Sequence, residues 1–155
     1  MPQGRLFVVC GLVVLGSLIV VGIVSDGIAR HILQTLPVWL VIALGLRGSS
    51  LTKWAALPVF LFWLVIIVLI WLFLLHWARI VSGHFTPTEV AMTVLVGAAS
   101  VFAIAGFVRD KSQASWPMAS LTLLMLAALQ VCVFVLSLED PFNRDTALLA
   151  WLRAH

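Results

Sequence analysis

Residues 55–75 read AALPVFLFWLVIIVLIWLFLL, 21 residues without one charged, amide or hydroxyl side chain. At about 1.5 Å of rise per residue, a helix of this length reaches roughly 30 Å, the hydrocarbon thickness of a bilayer. A soluble chain of 155 residues has too little else with which to cover such a cylinder. The expectation is a transmembrane helix around which the rest of the chain is built.

Composition points the same way. The chain is 63% hydrophobic and 10% charged, with mean hydropathy +1.19, whereas soluble domains lie near about 45–50% apolar and about 25% charged. No polar stretch is long enough to fold separately, so residues 1–155 are read as one transmembrane helical domain. The net charge of +3 is small and no Lys/Arg cluster occurs, which excludes a nucleic-acid partner. The partners expected are the lipid bilayer and other membrane subunits. Seven Trp and no Tyr fit interfacial anchoring by indoles. Cys10 and Cys132 lie in separate apolar runs, without metal spacing, and read as small packing residues.

The fold class expected is an all-α integral membrane protein, a bundle of about five transmembrane helices. Spans fall at about 6–24, 28–46, 57–78, 87–108 and 117–138. The first is too long for the apolar core of a signal peptide and is followed by a poor cleavage site. The second is the ambiguous one. Its clean apolar part, 36–46, is too short to cross, and a full span from residue 28 carries Arg30 and His31 one turn inside, from where both can snorkel. Pro37 would kink it. The alternative is four spans plus a re-entrant or interfacial segment. Thr86-Pro87-Thr88-Glu89 predicts a capping box at the start of the fourth span. Residues 141–155 follow Asp140 and carry Phe142, Leu148, Leu149, Trp151 and Leu152 beside few charges, which predicts an interfacial amphipathic helix.

Two loops, RGSSLTKW at 47–54 and RDKSQASW at 109–116, share R-x-x-S-x-x-x-W. A basic loop followed by an interfacial Trp is what two loops on one side of a membrane tend to look like, so they are read as same-side loops rather than a repeat. With five spans this side holds Arg5, Arg47, Lys53, Arg109 and Lys111, against Arg30, Arg79, Arg144 and Arg153 on the other. The positive-inside bias then places the N-terminus inside and the C-terminus outside. Preference for Arg over Lys and compact loops fit a bacterial cytoplasmic (inner) membrane.

The candidate chemistry is sparse. His31, His76 and His84 fall on the outer side of this topology, with Asp26 and Glu89 near them in sequence. Imidazoles beside carboxylates suit zinc or copper, and imidazoles from facing helices suit a haem. No two of these histidines have helical i, i+3 or i, i+4 spacing, however, and interfacial histidines ordinarily serve to wet one nitrogen. The expectation is no cofactor, with this metal or haem set as the alternative. Ala99, Ala103 and Gly106 form a small-residue stripe for close helix packing, and Gln130 is the most polar side chain deep in a span, a candidate interhelical hydrogen-bonder. No ionisable group lies at mid-depth, which argues against a proton relay. No nucleophile elbow, H-E-x-x-H or phosphate-binding loop occurs, so no enzyme activity is expected. The function expected is a non-catalytic accessory or scaffold subunit of a membrane. The alternatives are a redox, metal- or haem-binding subunit and a small oligomeric transporter or channel.

Overall fold

A computed structural model describes residues 4–77, 85–111 and 113–139. Within them are six helices and no strand: α1 (Gly4–Val24), α2 (Ile28–Gln34), α3 (Leu36–Leu46), α4 (Thr52–Leu74), α5 (Pro87–Arg109) and α6 (Trp116–Ser137). Four of these, α1, α4, α5 and α6, are long and apolar enough to cross a membrane. The architecture is therefore consistent with a helical membrane bundle. The segment 141–155, expected as an interfacial helix, lies outside the described residues.

The ambiguous second segment is two short helices. α2 and α3 are separated by Thr35 and bent by 42°, and counted as one span the pair makes a fifth. Pro37 sits in the first turn of α3 and has no N–H to return to the carbonyl of Leu33. Thr35 adds to the break by donating its hydroxyl to the Ile32 carbonyl at 2.7 Å.

The helices close into a ring in the order α1, α5, α4, α6, then the α2–α3 pair, which returns to α1. One end, here the near end, carries Gly4, Leu46, Thr52, Arg109 and Trp116. There α3 also packs across the ring onto α4. At the opposite, far end α2 packs on α1 and α6 and does not touch α4 or α5. The bend thus closes the near half of the bundle and splays the far half.

The core runs along the inner faces. Phe7, Cys10, Val14 and Leu18 of α1 meet Val38, Val41 and Ile42 of α3 and Val59, Phe60 and Trp63 of α4. Leu12, Val65, Phe102 and Leu124 face outward and are about half exposed or more. Lipid tolerates such a surface, which is why the spans are apolar all round. Close approach depends on absent side chains. A Cβ on Gly45 would stand 2.6 Å from Val8 Cγ2, and one on Gly106 would stand 2.5 Å from Leu6 Cδ2.

Three helix ends share one device. After α1, α3 and α4 the second residue beyond the helix is left-handed: Asp26 (φ 51°), Gly48 (φ 64°) and His76 (φ 60°). In each, the next N–H reaches back to close the last turn: Gly27 to Gly22 O at 2.9 Å, Ser49 to Leu44 O at 3.1 Å and Trp77 to Leu72 O at 2.9 Å. These are Schellman closures, which normally place glycine at the left-handed residue. Only the near-end one does. The capping box at α5 is formed: Thr86 Oγ1 accepts from Glu89 N at 3.2 Å, and Glu89 Oε2 accepts from Thr86 N at 2.7 Å.

Candidate functional site

The splayed far half encloses a cavity of about 300 Å³. Its walls come from five helices, with Phe85 before α5. The deeper wall is apolar, and Leu18, Trp63, Ile67, Val96 and Phe134 contribute to it. Toward the far end stand Arg30 and His31 of α2 and Glu89 of α5. From Glu89 to Val96 is seven residues of helix, so the cavity is about 10 Å deep.

Each polar group here is placed by local structure. Arg30 and His31 sit on α2, which the bend carries away from α4. His31 is buried, and its Nδ1 lies 2.8 Å from the Gly27 carbonyl. A carbonyl only accepts, so Nδ1 carries the proton. Glu89 is oriented by the capping box. Gln34 donates to Ser137 Oγ at 2.8 Å, joining α2 to α6. Thr93 Oγ1 accepts from Trp71 Nε1 at 3.1 Å, joining α4 to α5. The indole N–H of Trp63, 4% exposed, has no acceptor among the described residues.

His31 lines the cavity, His76 is exposed on the turn after α4, and His84 lies outside the described residues. Among the described residues no group of three or more His, Cys, Asp or Glu stands close enough to hold a metal ion. The small stripe is buried: Ala99 and Ala103 belong to the core, and Gly106 meets Leu6 and Phe7 of α1.

Gln130 is fully buried, and neither atom of its amide has a partner among the described residues. It forms part of the floor of a second, almost wholly apolar groove of about 410 Å³ on the outside of the bundle, between α4 and α6. Pro58, Leu61, Val65 and Val131 flank it.

At the near end, Lys53 is buried and donates from Nζ to the Asp110 carbonyl at 2.8 Å, capping α5. The two Trp of the R-x-x-S-x-x-x-W loops, Trp54 and Trp116, meet edge to face at 6.2 Å. The two loops therefore do share an end of the bundle.

Arg30, Gln34 and Thr93 were not singled out from sequence as site residues. The available signal was a broken span with an Arg-His pair in its short arm. No protein-family model, curated protein or solved structure matches the chain.

Proposed function

We propose that the protein is a non-catalytic accessory or scaffold subunit of a membrane assembly. It crosses a bacterial cytoplasmic membrane five times, the α2–α3 pair counting as one broken span, with the near end inside. Gln130 carries this reading. Gln34, Thr93 and Lys53, also buried, each bind another helix or a helix end. Gln130 instead leaves a whole amide unpaired beneath a groove on the outer surface of the bundle. An unpaired buried amide costs on the order of 1–3 kcal/mol. A partner's transmembrane helix, seated between α4 and α6, recovers this energy when it parts the side chains that cover the amide and brings a hydrogen-bonding group to that depth.

Photo-crosslinking from position 131 in native membranes tests the reading, with position 102 on α5 as the control. A discrete adduct formed from 131, absent from 102 and lost in Gln130→Leu, supports it. Adducts with lipid alone at both positions overturn it, as does an adduct of twice the chain mass, which would make a second copy the occupant.

A further inference from the structure

A recess of about 650 Å³ lies at the near end, on the flank of the bundle, between the start of α1 and the turn that joins α3 to α4. α1 and α3 touch there, since a Cβ on Gly4 would stand 2.6 Å from the Gly45 carbonyl oxygen. Beyond that contact the left-handed Gly48 turns the chain away toward α4. The recess is polar at one rim, with Arg5, Ser49 and Ser50, and apolar at the other. The apolar rim is Val9, one turn deeper on α1, and Leu46, which are 57% and 73% exposed. Arg5 is exposed and has no hydrogen bond or ion pair among the described residues. Ser49 Oγ accepts from Leu51 N at 3.2 Å, which leaves its O–H to donate. Asp110, the one acid in the lining, has partners of its own, with Lys53 on its carbonyl. This end carries Arg5, Arg47, Lys53, Arg109 and Lys111 against Asp110 alone. Trp54 and Trp116 meet at the same end, and indoles of a membrane bundle sit at the level of the lipid heads.

We infer that this recess seats the head of one anionic phospholipid, of the phosphatidylglycerol type. The phosphate lies at Arg5, whose planar fork suits phosphate oxygens, and the hydroxyls of Ser49 and Ser50 donate to it as well. The glycerol lies over Val8. The acyl chains leave past Val9 and Leu46 along the outside of the bundle and need no cavity. A head that carries an ammonium would bring a sixth cation among five, so an anionic head is favoured over an ethanolamine one. Soluble glycerol phosphate offers the same phosphate but nothing to the exposed Val9 and Leu46. The site requires only that the near end lie at head-group level, whichever leaflet that is, and it does not involve the α4–α6 groove.

The test is native mass spectrometry of the full-length protein in detergent, titrated with phosphatidylglycerol, phosphatidylethanolamine of the same chains, or glycerol phosphate. The expected result is one phosphatidylglycerol retained per chain, weaker retention of phosphatidylethanolamine, and no glycerol phosphate. Arg5→Gln should weaken retention about tenfold, as loss of one charge-assisted bond does. Arg47→Gln removes the same charge from the same end but outside the lining, and should weaken it less. Ser50→Phe puts a ring into the recess at an exposed position, without changing any charge, and should abolish retention. Equal retention of the two lipids, or glycerol phosphate held as firmly as the lipid, overturns the assignment. So does an Arg47→Gln loss as large as that of Arg5→Gln, which would make the binding a diffuse property of the basic end. Unchanged retention in Ser50→Phe overturns it too, by placing the lipid elsewhere.

Discussion

Gln34 and Ser137, 103 residues apart in the chain, are joined by a hydrogen bond of 2.8 Å between Nε2 and Oγ. Ser137 in turn donates to the Phe134 carbonyl at 2.6 Å, so its hydroxyl both accepts and donates. The bond pins α2 to the end of α6. Ser137→Ala should destabilise the protein by about 1 kcal/mol, within the range of interhelical hydrogen bonds in membranes. It strands the Gln34 amide in a buried place. Gln34→Leu with Ser137→Ala should therefore cost less than the sum of the single changes. Reversible unfolding in mixed micelles measures both, and additive costs would show that the two side chains are not coupled.

Ala103 and Phe102 are neighbours on α5 with opposite fates, 2% and 65% exposed. Ala103→Leu adds volume where α5 packs closely and should cost about 1–3 kcal/mol. Phe102→Ala removes a larger group but should change stability by less than about 0.5 kcal/mol, because lipid is as apolar as the core. Thermal midpoints in one detergent compare them directly; a costlier Phe102→Ala would place that ring in an interface.

His76 holds a left-handed backbone that glycine adopts freely. His76→Gly should stabilise the end of α4 by about 1 kcal/mol, seen as a raised thermal midpoint. Asp26→Gly should gain less, since a short polar side chain tolerates this region better. A lowered midpoint for His76→Gly would mean that the imidazole holds a contact worth more than the strain.

Reporter fusions at the two ends of the chain should report opposite compartments. This follows from counting α2 and α3 as one crossing. Matching reports would leave four crossings, with the bent pair re-entrant.

The apolar runs marked the helices because a bilayer imposes a length on them, and Thr86 with Glu89 marked the start of α5 because a capping box is local. Trp54 and Trp116 were readable as sharing a side from the loop pattern alone. The cavity was not readable. It depends on which way α2 leans from α3 across Thr35, and that is settled by α3 packing on α4 and by the close approach of Gly45 to α1. The small-residue stripe marked Ala103 for packing, but hydropathy could not say which way Phe102 faces, since core and lipid are equally apolar. Gln130 was legible as a buried amide, and its lack of a partner was not.

The bend at Thr35 gives the bundle a sense of direction that its charges barely provide. Because α3 packs against α4 at the near end, the cavity lies in the far half, and its lining ends near Trp63 and Val96. A single kink between two short helices thus makes the two ends of the bundle unequal within, one packed shut and the other hollow.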